Sequence, residues 1–231
     1  MTWIFNNLDL ILELVGVHLL FAIPAIVLSL VISIPLGWAA YRWKIGGAAL
    51  LTLIGLLYTI PSLPMFILVP ALVGTDIRSG STMVIVLTLY GIALMVRSVT
   101  NGFDSVPPAA LKAAEGIGYS PRQKFWAVQL PLAAPVILAG LRVVVVSTVS
   151  LVTVGAVVGI QSLGYLFTDG FQRGIIGEVL CGIVLTVVLA LLLDAACVLA
   201  GKLLLPWTNT PAGAPTETAA KAATTAKADV Q

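Results

Sequence analysis

The sequence predicts an all-α membrane protein with about five transmembrane helices. Of the 231 residues, 59% are hydrophobic and only 10% are charged, and the mean hydropathy is +1.09. An ordinary soluble domain has about a quarter charged residues, so this chain lacks the polar surface that folding in water requires. The net charge of +2 is too small to indicate a nucleic-acid partner. A lipid bilayer is therefore the expected solvent.

Five stretches have the length of about 20 mostly apolar residues that a transmembrane helix needs. They are Leu14–Tyr41, Gly46–Val73, Met83–Val99, Leu132–Ile160 and Ile175–Leu205. These spans define a transmembrane domain over residues 14–207, preceded by an extracytoplasmic segment over 1–13. The Ala/Thr-rich tail, 208–231, is expected to be disordered because it lacks large apolar residues.

Lysine and arginine residues are strongly biased toward one side of the predicted spans. The loops on that side, the tail and the adjoining ends of spans three and five contain Arg42, Lys44, Arg97, Lys112, Arg122, Lys124, Lys202, Lys221 and Lys227. The opposite side has only Arg78 and Arg173. Because cytoplasmic loops of membrane proteins are enriched in basic residues, the N-terminus is expected outside and the C-terminus in the cytoplasm. The predicted location is the cell (inner or plasma) membrane.

The polar loop over residues 103–131 separates spans three and four, and it begins with a predicted short helix. Ser105 is expected to cap this helix, with Pro107 and Pro108 near its first turn, where a missing N–H costs little. Gly116 and Gly118 are expected to end it.

A second short helix is predicted from Ser120, because Ser120 to Gln123 has the spacing of a capping box with proline at the first helical position. This helix contains Phe125 and Trp126, and Leu130–Pro131 is expected to turn the chain into span four. Either an interfacial helix anchored by Trp126 or a surface that docks a protein fits this pattern equally well.

The stretch "KAAEGIGYSPRQKFWAVQLP" resembles the signature loop of ABC-importer permeases, E-A-A-x3-G-x9-I-x-L-P, with every spacing intact. Its positions are occupied here by Lys112-Ala113-Ala114, Gly118, Val128 and Leu130-Pro131. The stretches "YTIPSLPMFILVPALVG", "VRSVTNGFDSVPPAALKAAEGIG" and "GAVVGIQSLGYLF" resemble the osmoprotectant branch, which imports glycine betaine, carnitine or choline. The resemblance runs from about His18 to Leu205.

This resemblance implies a type I ABC importer permease, with a cytoplasmic coupling helix that docks on a separate ATPase subunit. The residues that it assigns to coupling are Lys112, Ala113, Ala114, Glu115, Gly118, Val128, Leu130 and Pro131. It also implies a second permease copy or paralogue, an extracytoplasmic substrate-binding protein and surrounding lipid. The sequence has no phosphate-binding P-loop, so ATP and Mg²⁺ are expected on the partner and no cofactor or catalytic residue on this chain.

Two charges depart from the family pattern. Lys112 occupies the position of the family's glutamate, and Glu115 stands where a basic residue is common. Residues three apart on a helix are neighbours, so the reversed charges can still form a local pair, worth about 0.2–0.5 kcal/mol in an isolated helix, while the segment presents the opposite charges to its partner.

Two ionisable residues fall deep within predicted spans. Arg142 in span four and Asp194 in span five each lie about 15 Å from the cytoplasmic end of their helix. Because charges in a bilayer are costly when isolated, the two are predicted to form an ion pair, although Arg142 could instead extend to the interface. His18 is expected to be a hydrogen-bonded interface residue, and no metal site is predicted.

Prolines interrupt span two, and broken helices at membrane depth often line a cavity. The resemblance makes this region a candidate wall of the translocation path, and an ordinary packing kink is the alternative. The candidate residues are Tyr58, Pro61, Ser62, Pro64 and Phe66, with Tyr90 of span three as a weaker one. Aromatic rings suit quaternary ammonium cations.

The segment Gly159 to Tyr165 follows span four on the predicted outer side. Its glycines are consistent with a gate, with a docking loop for a binding protein, or with an irregular connection.

The leading functional prediction is therefore a permease subunit of an ATP-driven ABC importer for an osmoprotectant. An importer for another small solute, such as an amino acid, is the alternative within the class. A secondary transporter or channel that needs no ATPase is the alternative outside it. Such a transporter is expected to contain paired repeats with midplane ion ligands, which the sequence does not display.

Overall fold

The computed structural model describes Trp3, residues 6–43 and residues 46–208, and it is helical throughout these parts. The α-helices are α1 Leu8–Arg42, α2 Gly46–Leu57, α3 Ser62–Val73, α4 Gly80–Asp104, α5 Pro108–Gly116, α6 Pro121–Lys124, α7 Leu130–Val154, α8 Tyr165–Arg173 and α9 Ile176–Leu204. Lys44 and the predicted disordered tail from residue 209 lie outside the described residues.

Four of the five predicted spans are single long apolar helices, namely α1, α4, α7 and α9. Span two is different, because α2 and α3 meet at an angle of 106°. Each has 12 residues, or about 18 Å of helix, which is less than the hydrocarbon thickness of about 30 Å. Only the pair together has the length of one crossing.

Helix α1 is longer than the sequence predicts, since it begins at Leu8 inside the segment 1–13. Asp9 lies in its first turn, where a carboxylate faces the positive end of the helix dipole. An acidic residue near the start of an apolar run is therefore compatible with helix there. At 35 residues, α1 is about 52 Å long and exceeds the bilayer core.

Helix α4 lies at the centre of the fold and packs against α1 and α7 through small residues. A Cβ atom at Gly91 would lie 2.0 Å from the Ser29 hydroxyl oxygen, and one at Gly140 would lie 2.3 Å from the Ser98 Cβ. Close backbone approach through small residues is the usual way for helices to associate in lipid. The small size of Gly91 and Gly140 therefore determines how closely α1, α4 and α7 pack together.

His18 is completely buried, and its Nε2–H donates to the Val149 carbonyl of α7 at 3.1 Å. The predicted hydrogen bond is therefore present, but it joins two helices inside the protein. The interface position predicted for His18 is wrong, because its face of α1 packs against α7.

Helix α9 lies at the edge of the fold. In its most apolar window only 6% of the residues are buried, compared with 61% for α4. Such an exposed apolar helix must be covered by lipid or by another chain.

The sequence predicts that the chain turns into span four at Leu130–Pro131. The structure is different, because the chain enters the membrane as a helix that passes through these two residues without a turn. Residues 121–158 form one continuous helical segment, in which π-helical Phe125–Gln129 joins α6 to α7. The Leu130 N–H donates to the Phe125 carbonyl five residues earlier. Pro131 has no N–H, and as the second residue of α7 it is tolerated without a break.

Candidate functional site

Helix α5 ends at a glycine turn that matches the predicted elbow. Gly118 has a φ of +87°, which favours glycine because a side chain there is strained. The Gly118 N–H donates to the Glu115 carbonyl, and the Tyr119 N–H donates to the Ala114 carbonyl, each at 3.0 Å. This is the Schellman arrangement of helix ends, so local hydrogen bonds define the bend.

The predicted capping box at the start of α6 is confirmed. The Gln123 N–H donates to the Ser120 hydroxyl at 3.3 Å, and the Ser120 N–H donates to the Gln123 side-chain oxygen at 2.9 Å. The predicted cap at Ser105 is wrong. Ser105 follows the last turn of α4, and its hydroxyl donates to the Gly102 carbonyl, while Pro107 precedes α5 without a side-chain cap.

The predicted local pair between Lys112 and Glu115 is replaced by another ion pair. Lys124 of α6 donates to the Glu115 carboxylate across the Gly118 turn. This hydrogen bond, together with the Lys124 charge, holds the pKa of Glu115 below its ordinary value, and Lys112 makes the smallest contribution. The elbow brings Lys124 to Glu115, whereas spacing along one helix favoured Lys112.

The eight residues assigned to coupling divide into two groups. Lys112, Ala113, Glu115 and Gly118 are exposed, whereas Ala114 is buried beneath them. Val128, Leu130 and Pro131 are half-buried in the helical segment that leads into the membrane. The surface available to another protein is therefore the outer face of α5 with its turn.

Aromatic rings fasten this segment to the transmembrane helices. The Phe125 ring centroid lies 5.5 Å from that of Trp38 in α1 and 5.8 Å from that of Phe103 in α4. The Phe103 ring also packs against Tyr41 at 5.9 Å. Aromatic pairs at such distances add to the stability from buried area. Phe125 therefore connects the segment to α1 and α4 by direct ring contacts.

The break in span two brings two of the candidate path residues together. Helix α2 ends at Leu57 and α3 begins at Ser62, with Pro61 directly before it and Pro64 in its first turn. The Tyr58 and Tyr90 rings meet edge to face at 5.9 Å, and the Tyr90 hydroxyl donates to the Ile60 carbonyl. These contacts hold the broken backbone against α4.

Accessibility differs among the candidate path residues. Tyr58 is 48% exposed, Pro61 and Pro64 are exposed, and Ser62 is half-buried. Phe66 is only 1% exposed because its face of α3 packs on α1 and α4 in the main core cluster, so its ring is not a surface wall in this conformation. Tyr90 is 4% exposed, which leaves Tyr58 as the accessible aromatic ring.

Arg142 and Asp194 form a two-point ion pair between α7 and α9. The Arg142 Nε and Nη2 atoms donate to the two Asp194 carboxylate oxygens, each at 2.7 Å. Parallel bonds of this kind are stronger and more directional than a single contact. The side chains are 47% and 21% exposed, so the pair lies on a surface of this chain.

The segment after α7 folds back onto that helix, which limits its freedom to act as a gate. The Ser162 hydroxyl donates to the Val152 carbonyl at 3.2 Å and accepts from the Gly164 N–H at 3.2 Å. A Cβ at Gly164 would lie 2.0 Å from the Thr153 carbonyl oxygen, so close approach requires glycine there. Beside it, Gln161, Tyr165 and neighbouring residues line a cavity of about 360 Å³.

Sequence reasoning missed helix α8 and the acidic group beside it. Glu178 at the start of α9 is completely buried, and the Asp169 carboxyl group of α8 lies close to its own. On α8, Asp169 pairs with Arg173 at 2.9 Å. The available signal was an acidic residue near the start of an apolar span, together with the polar helical spacing of Asp169 and Arg173.

Comparison with known proteins shows the family. Residues 30–206 match the family described as the binding-protein-dependent transport system inner membrane component. The chain belongs to this family, and it is a permease component of an ABC importer, not a catalytic subunit.

Individual relatives and a solved structure agree with this assignment. The osmoprotectant import permease protein OsmW of Salmonella typhimurium is 31% identical over 83% of this chain and 90% of its own length. The ergothioneine transport permease/ergothioneine binding protein EgtU of Helicobacter pylori is 37% identical over 63% of this chain, but the match spans only 26% of EgtU. A MetNI methionine ABC transporter chain in an inward-facing conformation superposes with a TM-score of 0.72 at 22% identity, covering 83% of this chain and 94% of the other. This likeness confirms the predicted type I importer fold.

Proposed function

We propose that this permease forms half of the path by which an ATPase-driven importer takes up a small osmoprotectant with a quaternary ammonium group. Glycine betaine, carnitine and choline are the expected substrates. The observation that carries the proposal is the similarity to OsmW along almost the whole of both chains. The class of transporter does not depend on this choice of substrate.

The proposed contact with the ATPase is the outer face of α5. This face is exposed, ends in the fixed turn at Gly118 and is fastened to α1 and α4 through Phe125. A rigid exposed helix with such an anchor is suited to passing motion from a soluble motor into the membrane. The distribution of basic residues supports a cytoplasmic position for this face.

A second permease copy or paralogue is the proposed cover for part of the exposed helical surface. Helix α9 buries almost none of its apolar window within this chain, and the Arg142–Asp194 pair is partly exposed beside it. A charged pair facing hydrocarbon is costly, whereas a protein interface or a water-filled path would solvate it. A path between two such chains would satisfy both features.

The proposed solute path runs past the break in span two. Tyr58 presents an accessible aromatic ring there, and an aromatic face attracts a quaternary ammonium cation. Replacement of Tyr58 by alanine is expected to impair uptake, whereas phenylalanine at this position is expected to preserve most of it. An external binding protein is expected to deliver the solute and supply much of the selectivity.

The substrate is tested by uptake into proteoliposomes that contain this permease, its ATPase and its binding protein. Uptake of radiolabelled glycine betaine, carnitine and choline is compared with uptake of ergothioneine, methionine and histidine. Each solute is measured with and without ATP on the side of the membrane where the ATPase is bound. We expect ATP-dependent uptake of at least one of the first three. Ergothioneine also has a trimethylammonium group, so its uptake alone would move the assignment toward the function named for EgtU. Uptake of only the amino acids would overturn the proposed substrate class.

A further inference from the structure

A groove of about 770 Å³ lies between the end of α1 and the start of the helical segment 121–158. Its apolar walls include Val31, Ile34 and Phe125, and three cationic side chains lie at one end, namely Arg42, Arg122 and Lys124. It is distinct from the exposed face of α5 and from the break in span two. Proposed substrate transport assigns no role to it.

The two ends of the groove differ in chemistry along the axis of α1. From Val31 to Arg42 the helix rises about 16 Å, which is close to the thickness of one leaflet of the hydrocarbon core. Val31 is 58% exposed, so the apolar end is open to the membrane. The groove therefore combines a cationic head region with an apolar channel of acyl-chain length.

The head region has unused capacity to bind an anion. The Arg42 guanidinium lies over the Trp38 ring, 5.2 Å from its centroid, and such stacking leaves its N–H groups free at the edges. Arg42 and Arg122 have no ion-pair partner within the described parts of the chain, whereas Lys124 is paired with Glu115. The Trp38 Nε1–H is buried and has no hydrogen-bond partner among the same residues.

We propose that this groove binds one anionic phospholipid. The phosphate would lie between Arg42 and Arg122, and an acyl chain would follow α1 toward Val31. Charge complementarity at one end and an open apolar face at the other favour a lipid over a soluble phosphate or a protein segment. Basic clusters next to a transmembrane helix bind anionic lipid in this way.

The test measures lipid contact at Trp38 in the full-length chain. A version with Trp3, Trp43, Trp126 and Trp207 each changed to phenylalanine leaves Trp38 as the reporter. It is reconstituted in phosphatidylcholine vesicles that contain an equal mole fraction of brominated phosphatidylglycerol or brominated phosphatidylcholine. Bromine quenches tryptophan fluorescence only at short range, so we expect stronger quenching by the anionic lipid.

Charge variants then separate this site from general surface attraction. Arg42→Gln/Arg122→Gln is expected to reduce the preference for the anionic lipid by about fivefold for each cation removed, and Arg42→Lys/Arg122→Lys to retain most of it. Arg97→Gln is the control for loss of an exposed arginine elsewhere, since Arg97 is exposed on α4 and does not line the groove. Its preference is expected to equal that of the parent.

Three results would overturn the proposal. They are equal quenching by both lipids in the parent, an unchanged preference in the double glutamine variant, and loss of the preference on adding inorganic phosphate, which would indicate a soluble anion. Thermal unfolding of each variant checks its fold. If the double glutamine variant does not fold, Arg122→Gln alone decides, because Arg122 is exposed and its loss is not expected to disturb packing.

Discussion

Lys124 of α6 and Glu115 of α5 form an ion pair across the glycine turn in the loop over residues 103–131. The pair joins the helices on either side of the turn, and Lys124 influences Glu115 more than Lys112 of the same helix does. Lys112 therefore remains on the exposed face of α5. Any partner that reads this face meets a lysine at the position where the family pattern has a glutamate.

This pair predicts a measurable shift in the titration of Glu115. Lys124 lowers the pKa of Glu115, so the folded state favours the ionised carboxylate. The resulting stabilisation is present above the ordinary pKa of 4.5 and is lost as the pH falls through the lowered value. In NMR of protein labelled at glutamate carboxyls, we expect a lower Glu115 midpoint in the parent than in Lys124→Gln. Equal midpoints would show that the pair is not formed in solution, and Lys112→Gln is expected to change the midpoint least.

The glycine turn predicts opposite effects for two neighbouring substitutions. Gly118→Ala forces a side chain into the left-handed region and is expected to lower the free energy of unfolding by about 1–2 kcal/mol. Gly116→Ala is the matched control, because Gly116 is helical and a Cβ there meets nothing within 4 Å. It is expected to be neutral or to stabilise by up to about 1 kcal/mol. Thermal unfolding in detergent compares the two, and equal losses would argue against a left-handed conformation at Gly118.

The ion pair between α7 and α9 predicts coupling between Arg142 and Asp194. Arg142→Gln and Asp194→Asn each leave one charge without its partner and are expected to lower the unfolding temperature. Because two hydrogen bonds join the Arg142 guanidinium to the Asp194 carboxylate, the double variant is expected to lose less stability than the sum of the two single losses. A double-mutant cycle by thermal unfolding measures this difference. Strict additivity would mean that the residues act independently.

Replacement of Glu178 by an uncharged residue of the same shape is expected to be tolerated. Its carboxyl group is completely buried beside the Asp169 carboxylate, and Arg173 is the weaker opposing charge, so a negative charge on Glu178 is destabilised. Glu178→Gln keeps the shape and is expected to leave the unfolding temperature unchanged or raised. Glu178→Lys is expected to lower it strongly because it buries a longer charged group. A clear loss with glutamine would indicate a required carboxylate, and thus a ligand or partner at this position.

Short-range sequence patterns were sufficient to predict parts of the loop over residues 103–131. Ser120 and Gln123 satisfy each other within one turn, so their spacing predicts the capping box without knowledge of the fold. The end of α5 is predictable for the same reason, because only glycine suits the conformation at Gly118. Ser105 shows where this reasoning stops, since α4 continues to Asp104 and makes that serine its C-cap, while Pro107 occupies the N-cap position of α5.

Features that depend on contacts between distant residues were not predictable in the same way. The Glu115–Lys124 pair exists because the turn folds the chain back on itself between these two residues. Phe66 is excluded from the surface only by packing of α3 against α1 and α4. Helix α8 is short and lies between Gly164 and Gly174, so glycine punctuation concealed it. The Arg142–Asp194 pair could be predicted from the sequence, because equal depth on successive helices restricts the choice of partners.

The central claim is that the exposed face of α5 connects this permease to a separate ATPase that drives import. The most direct measurement is purification of the tagged full-length chain from its native membranes, followed by identification of bound proteins and assay of ATP-dependent uptake. A P-loop ATPase is expected to purify with the parent, and Lys112→Glu/Ala113→Arg on the exposed face is expected to abolish both its retention and uptake while preserving the unfolding temperature. Uptake that continues with no ATPase present would contradict the account.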